Sequence, residues 1–203
     1  MDKSENNPKI GIFGGAFDPI HIGHLIIGEF ARIEFHLKKI MFIPLKIPPH
    51  KEEPSATQEQ RFKMLKMSIA DNPFYEISDI ELTRKGTSYT YDTLMMLKKK
   101  NAETHFFFLI GEDSFKTLAE WHRIEELTKE VTFLVAPRTF GKIETIHFDF
   151  PVKYKLIHSP RIDISSSFIR NCIFYGKSVK YLVQDEILNY IKKEKIYGSR
   201  KHN

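Results

Sequence analysis

The sequence predicts an α/β fold with one mostly parallel, twisted sheet and helices on both of its faces. Short apolar segments typical of buried strands alternate along the chain with segments whose apolar residues recur at helical spacing. Parallel strands need a crossover connection, and a helix between successive strands supplies it. No internal repeat and no low-complexity linker interrupts the 203 residues. We therefore expect one domain over residues 1–203.

The chain begins with a strand-helix-strand unit. Residues 9–13 (KIGIF) are mostly apolar and are followed by two glycines, as expected of a buried strand. Apolar residues then recur at helical spacing over residues 21–35. Lys39–Pro44 (KIMFIP) is predicted to be a second strand that ends in proline, and residues 45–56, rich in proline and charge, to be an exposed loop.

The same alternation continues after the loop. Thr57 with Gln60 three residues later has the form of a capping box, which predicts a helix over residues 58–72. Alternating apolar and polar residues predict a strand over residues 75–82, and a helix is predicted over residues 90–99.

The second half of the chain supplies the rest of the sheet. Its most apolar segment, HFFFLIG, is predicted to be a central strand. We expect residues 1–7 to be flexible and the C-terminal helices, within residues 165–198, to pack on the same domain. The predicted elements are strands at 105–111, 131–137 and 154–158, a helical segment that contains Trp121, and helices at 165–175 and 184–193.

Composition and charge narrow the function without deciding it. Lys and Arg total 31 and Asp and Glu total 26, so the net charge is +5 and the protein favours anionic partners. A nucleic acid, a nucleotide, an acidic membrane and a merely solvated basic surface all stay open at this point.

Three features of the sequence bear on the cellular location of the protein: its N-terminus, its hydropathy and its cysteine content. Residues 1–9 contain acidic side chains and no apolar segment, so they do not resemble a signal peptide. The sequence contains no run of about 18 apolar residues, the length that would predict a membrane span. Cys172 is the only cysteine, so an intrachain disulfide is excluded. We expect a reducing, cytoplasmic location and a structural role for this thiol.

The segment GAFDPIHIGHL (residues 15–25) is dense in residues of special chemistry. Gly14 and Gly15 permit a sharp turn and the close approach of a bulky anion, toward which the next helix directs N–H groups and a partial positive charge. His21 and His24 are three residues apart, so both imidazoles face the same place. Because Gly23 destabilises a helix relative to Ala, we expect a flat group such as a nucleotide base to lie against it.

Other interpretations of this segment are weaker. Asp18, before Pro19, suits a turn or a helix cap, so the segment also fits an ordinary strand-helix junction with one core and one exposed histidine. Neither the phosphate loop ending in Gly-Lys-Ser/Thr nor the spacing of G-x-G-x-x-G is present. His21 and His24 have a metal-ligand spacing without a third ligand in a recognisable motif, so we expect no protein metal site.

The segment resembles the signature of the nucleotidyltransferase superfamily, in which the histidines of H-x-G-H contact the phosphates of a nucleoside triphosphate. Further motifs resemble one branch, the bacterial nicotinate-nucleotide adenylyltransferases, in the same order. Together they span most of residues 8–198. These motifs are PPHK (48–51), GTSYTYDTL (86–94), IGEDS followed by a Trp eight residues after its Asp (110–121), VAPR (135–138) and ISSSFIR (164–170).

This resemblance implies a Rossmann-like nucleotidyltransferase fold and an enzyme that joins nicotinate mononucleotide to the AMP part of ATP, releasing pyrophosphate, in NAD biosynthesis. His21, His24 and Arg170 would be catalytic, and Mg²⁺ would arrive with the ATP. Ser167 stands where the family more often has Thr, so a hydroxyl is retained. The implied ATP-binding residues are Gly14, Gly15, Phe17, His21, Gly23, His24, Ser166, Ser167 and Arg170.

The second substrate would bind around Trp121. In the family the nicotinate ring stacks on this tryptophan, and backbone N–H groups at the positions of Thr90 and His122 receive its carboxylate. The resemblance also implies a substrate-site carboxylate at Asp113. Without the surrounding motifs, Trp121 would equally be interpreted as a core residue, and Arg170 as an arginine on a helix surface.

Two further residues and two rival functions complete the predictions. His50 and Lys51 are candidate phosphate contacts in a loop that equally fits a solvated segment. A phosphopantetheine adenylyltransferase shares the histidine motif but lacks this arrangement of PPHK, SYT and Trp121. A nucleic-acid-binding module needs basic residues interleaved with exposed aromatics, whereas Phe106–Phe108 lie in a core-like run. We therefore expect neither a nucleic-acid nor a membrane partner, and the oligomeric state stays open.

Overall fold

The computed structural model describes residues 7–46, 54–84, 86–137 and 146–198. Six strands form one sheet in the order β3-β2-β1-β4-β5-β6, and each of the five described neighbouring pairs is parallel. This is the strand order of doubly wound α/β folds, so the predicted fold class is confirmed. The strands are β1 (Lys9–Gly15), β2 (Lys39–Pro44), β3 (Tyr75–Ile77), β4 (His105–Gly111), β5 (Thr132–Ala136) and β6 (Tyr154–Leu156).

Helices cover both faces of the sheet, as the alternation of elements predicts. Successive strand residues point to opposite faces, so Phe13 and Phe42 pack with α1, α2, α6 and α7, whereas Ile12 and Ile43 pack with α3, α4 and α5. None of these helices is both long enough and apolar enough to cross a bilayer. The helices are α1 (Ile22–Glu34), α2 (Gln58–Ser68), α3 (Thr90–Lys100), α4 (Glu112–Lys116), α5 (Ile124–Glu130), α6 (Ser166–Phe174) and α7 (Asp185–Lys193).

The C-terminal helices share a core with the first strands. Ile169 of α6 and Ile187 of α7 belong to the same buried cluster as Phe13 and Phe42. The single-domain organisation stays a prediction, and this shared core is the observation that supports it. Residues 1–6, most of the segment expected to be flexible, lie outside the described ranges.

Three predicted elements differ from the structure in type or by more than two residues. The helix predicted over 58–72 ends at Ser68, because the N–H groups of Ala70 and Asn72 donate to carbonyls three residues earlier, as in a turn. The strand predicted over 75–82 ends at Ile77, because Ser78 and Asp79 begin a turn: the Ser78 hydroxyl accepts from the Ile80 N–H at 3.4 Å, and the Thr83 N–H donates to the Asp79 carbonyl at 3.1 Å. The prediction that Trp121 lies in a helix is wrong. It follows a 3-10 turn at Leu118–Glu120 and has extended backbone angles.

Candidate active site

Two adjoining cavities open where the chain changes direction across the sheet. From β1 the chain proceeds through β2 and β3 on one side, and β4 then pairs with β1 on the other side. Doubly wound folds bind ligands at the carboxyl ends of the strands at this point. The larger cavity measures about 540 Å³ and the smaller about 170 Å³. Residues 13–16, Gly111 and Ser114 line both cavities, so the two share a wall.

The paired histidines lie on the wall of the larger cavity, at the start of α1. His21 is the N-cap of this helix and His24 lies in its first turn, and their rings stack with centroids 3.6 Å apart. The backbone N–H of His21 donates to Nδ1 of His24 at 3.2 Å. Nδ1 therefore acts as an acceptor, and in the neutral ring the hydrogen resides on Nε2, the nitrogen able to donate to a phosphate oxygen.

The glycines serve close packing more than turning. Gly14 and Gly15 are the last residues of β1, so the prediction that they form the sharp turn is wrong. In the segment between β1 and α1, the residue with left-handed backbone angles is Phe17, with φ 48°. A Cβ on Gly15 would lie 3.1 Å from the Phe17 ring, and a Cβ on Gly23 would lie 3.1 Å from the His21 ring. The His21 imidazole thus accounts for Gly23, and a base against it stays a prediction.

Arg170 reaches the larger cavity from α6. Ser165 caps this helix by accepting from the Phe168 N–H at 3.1 Å, and the Ser166 hydroxyl donates to the Pro19 carbonyl at 2.9 Å. Arg170 donates from Nη2 to the Ser167 hydroxyl at 3.2 Å. These serines therefore position the start of α6 against the β1–α1 loop, and Ser166, Ser167 and Arg170 line the same cavity as the histidines.

Asp18 is the main cavity residue that sequence reasoning missed. It is 3% exposed and lies in a turn, one of its two predicted roles, whereas His21 and not Asp18 is the N-cap of α1. Its carboxylate accepts from the backbone N–H groups of Ser55, at 2.8 Å, and Ala56, at 3.1 Å. Arg170 donates from Nη1 to the Asp18 carbonyl at 2.8 Å and lies 3.7 Å from the carboxylate. The sequence places Asp18 inside the histidine motif, and that position was the available signal.

The smaller cavity is lined by the other predicted substrate residues. Thr90, Trp121 and His122 all contribute to its wall. Thr90 is the first residue of α3, where backbone N–H groups have no acceptor within the helix. Trp121 packs edge-to-face on Phe108 with centroids 5.7 Å apart. His122 stacks on Tyr89 at 4.2 Å, so an aromatic surface and a helix start meet in this cavity.

The remaining predicted residues lie elsewhere. Asp113, in α4, is exposed and lines the larger cavity rather than the smaller. Its assignment to the mononucleotide stays a prediction. His50 and Lys51 lie outside the described residues. Within the described ranges, no three His, Cys, Asp or Glu side chains form a metal-binding group.

Comparison with known proteins defines the class. A model of the cytidylyltransferase-like family matches residues 12–172. The doubly wound sheet with its histidine-lined cavity is therefore that of a nucleotidyltransferase.

Relatives define the family within that class. A probable nicotinate-nucleotide adenylyltransferase of Geobacillus thermodenitrificans is 41% identical over 95% of this chain and 87% of its own length. One from Hydrogenobaculum sp. is 43% identical over 93% of this chain and 98% of its own length. The chain belongs to the nicotinate-nucleotide adenylyltransferase family, and it is an enzyme.

A solved structure agrees in fold. Plasmodium falciparum nicotinic acid mononucleotide adenylyltransferase, in complex with NaAD, superimposes with a TM-score of 0.76 at 23% identity. The match covers 94% of this chain and 97% of that chain.

Proposed function

We propose that the protein transfers the adenylyl group of ATP to nicotinate mononucleotide, forming nicotinate adenine dinucleotide and pyrophosphate in NAD biosynthesis. The observation that carries this proposal is the shared wall of the two cavities along Gly14, Gly15 and Gly111. A mononucleotide in the smaller cavity and a triphosphate in the larger one would bring their phosphates together at that wall. Family membership supports the same reaction.

The reaction asks the protein for positioning and charge stabilisation. A phosphate oxygen of the mononucleotide attacks the α-phosphorus of ATP, and a new P–O bond forms as the bond between the α-phosphorus and the oxygen bridging to the β-phosphorus breaks. Pyrophosphate leaves with that electron pair. The attacking oxygen is already anionic, so no base and no covalent enzyme intermediate is needed. We infer direct in-line attack on this basis.

The larger cavity would hold the triphosphate. His21, His24 and Arg170 line it, and a helix start adds partial positive charge. We propose that His24 donates from Nε2 to a phosphate oxygen and that Arg170 contacts phosphate through its planar guanidinium. Ser166 and Ser167 would keep the start of α6 in place.

The smaller cavity would hold the nicotinate ring. An aromatic face suits a flat pyridinium through stacking and cation–π attraction, so Trp121 is the proposed platform. The backbone N–H groups of Thr90 and His122 would receive the carboxylate, the group that distinguishes nicotinate from nicotinamide.

Mg²⁺ would accompany ATP. It is a hard cation that prefers oxygen ligands and commonly binds through one or two carboxylates plus substrate phosphates. Asp113 is an exposed carboxylate on the larger cavity, so the described residues fit an ion held mainly by the triphosphate, to which Asp113 would contribute an oxygen ligand. Once bound, the ion would neutralise charge on the phosphates. A cytoplasmic location stays a prediction.

Initial rates of pyrophosphate release test the function directly. We expect turnover with ATP plus nicotinate mononucleotide, slower turnover with nicotinamide mononucleotide, and none with ATP alone. Phosphopantetheine serves as the acceptor of the rival sibling enzyme. Turnover with phosphopantetheine and none with nicotinate mononucleotide would reject the proposal.

A further inference from the structure

Near the C-terminal end of the described chain, a tyrosine contacts the buried carboxylate beside the larger cavity. The Tyr197 hydroxyl donates to Oδ1 of Asp18 at 2.8 Å, and the two residues are 179 positions apart. Tyr197 does not line either cavity itself. Its contact with Asp18 therefore joins the segment after α7 to the β1–α1 loop.

The same carboxylate joins other parts of the ATP cavity. Oδ2 accepts from Ser55 at 2.8 Å and Oδ1 also accepts from Ala56 at 3.1 Å, which fixes the turn before α2. Arg170 contacts both the carbonyl and the carboxylate of Asp18. Asp18 thus connects Arg170, the turn and Tyr197, and three of these four sites lie on the cavity wall.

The backbone holds Tyr197 in an uncommon conformation. The N–H of Ile196 donates to the Ile191 carbonyl at 3.0 Å, and Lys195 has φ 52°, as in a left-handed helix cap. Tyr197 has φ 70°, and the end of α7 does not require this second left-handed residue. Such a conformation persists where surrounding contacts fix it, and the buried Ile196 and the Asp18 hydrogen bond provide them.

Electrostatics keep the hydroxyl a donor. Burial, together with the charge of Asp18, raises the pKa of Tyr197, so the phenol stays protonated. The buried Arg61 adds positive charge beside the pair and donates to the Ala16 carbonyl at 2.7 Å. The tyrosine therefore stays neutral and donates its hydrogen to the carboxylate.

We propose that Tyr197 is a positioning residue of the ATP site, acting through Asp18 to fix Arg170 and the Ser55–Ala56 turn. This inference rests on the proposed function, since it assigns the larger cavity to ATP. The segment after α7 is then part of the active site.

The test is Tyr197→Phe, which removes one oxygen atom. We expect kcat/KM for ATP to fall about tenfold, because the lost hydrogen bond has a charged acceptor, while KM for nicotinate mononucleotide stays within about twofold. Calorimetry should show similarly weaker binding of an unreactive ATP analogue. The inference would be overturned if KM for nicotinate mononucleotide rose as much as kcat/KM for ATP fell, or if kcat/KM for ATP did not change.

A matched control separates this role from general destabilisation. Tyr75 is also largely buried, and its hydroxyl donates to the Leu25 carbonyl at 2.8 Å, without contact with Asp18 or Arg170. Tyr75→Phe should lower the melting temperature comparably and leave both substrate constants unchanged. An ATP-specific loss in this control as large as that in Tyr197→Phe would overturn the inference.

A double-mutant cycle tests the route through Arg170. In an Arg170→Lys background, Tyr197→Phe should change kcat/KM for ATP by less than about twofold, because the residue to be positioned is already altered. Fully additive effects would overturn the inference. If wild-type enzyme releases no pyrophosphate with nicotinate mononucleotide, the proposed reaction fails. Analogue binding by the two tyrosine variants still tests the coupling in that case.

Discussion

Replacing His24 with alanine tests the central assignment of the active site. His24 Nδ1 accepts the His21 N–H at 3.2 Å, which leaves Nε2 as the nitrogen that carries hydrogen toward the cavity. Loss of one preorganised donor to a developing phosphoryl charge costs about 2.7–4 kcal/mol, or about a hundredfold to a thousandfold in kcat. We therefore expect kcat of His24→Ala to be at least about a hundredfold lower.

The same substitution has a smaller structural cost. The His24 ring stacks on His21 and packs edge-to-face on Phe17 with centroids 5.2 Å apart. Alanine removes these contacts and the interaction that caps α1, which together cost about 1–2 kcal/mol. A domain with typical stability of about 5–15 kcal/mol stays folded after such a loss.

Two other variants separate catalysis from capping. In His24→Asn the amide oxygen replaces Nδ1 as the acceptor of the His21 N–H, but no group replaces Nε2. We expect its stability to approach that of the wild type while kcat stays as low as in His24→Ala. His105→Ala removes an exposed imidazole at the amino end of β4 and should leave kcat unchanged. This end of the strands is opposite to the carboxyl ends, where the cavities open. Near-normal turnover in His24→Ala, measured as pyrophosphate release, would refute the assigned role.

Three further outcomes are expected. Trp121→Ala should raise KM for nicotinate mononucleotide about tenfold through lost stacking, with Trp121→Phe partly restoring it; unchanged mononucleotide saturation with poorer ATP use would contradict the platform. Burial raises the pKa of Glu81, so the folded state retains a proton that the unfolded chain releases. The free energy of unfolding therefore falls as pH rises above the usual glutamate range. In thermal denaturation measured across pH, Glu81→Gln should reduce this pH dependence, whereas Glu103→Gln, at an exposed position, should not. Cys172→Ala should cost about 1 kcal/mol of stability from its buried site without changing turnover, and a large loss of activity would contradict its structural role.

Elements with strong local patterns were predictable from the sequence. β2 and β4 match the predicted bounds, because continuous apolar runs bounded by proline or glycine have few alternative interpretations. The predicted strand after residue 75 is too long because apolar residues still recur among polar ones at Ile80 and Leu82, although Ile80 and Glu81 lie buried in a turn. Burial without strand geometry gives the same sequence pattern as a strand.

The candidate site likewise has a part that local sequence patterns predict and a part that they do not. The approach of His21 to His24 follows from their spacing on one helix turn, so local geometry was enough to predict it. Asp18 lies in a turn, as one of its two predicted roles requires, but the sequence does not predict the contacts of its carboxylate, because its partners, Ser55, Ala56 and Tyr197, lie 37 to 179 positions away. Contacts at that separation depend on how the helices dock on the sheet, which no local pattern encodes.

The arrangement fits the proposed direct attack, which needs no nucleophile or strong base from the protein. Two anionic substrates meeting at one strand end repel each other, so bringing them together is the main barrier that the protein must lower. The β1–α1 junction supplies a helix start and His24, and α6 supplies Arg170, all on one cavity wall. Gly14 and Gly15 present no side chain where the two cavities join, which fits the proposed approach of the two phosphates at that wall. A Cβ at Gly15 would lie 3.1 Å from the Phe17 ring, so that ring would have to shift by a few tenths of an ångström.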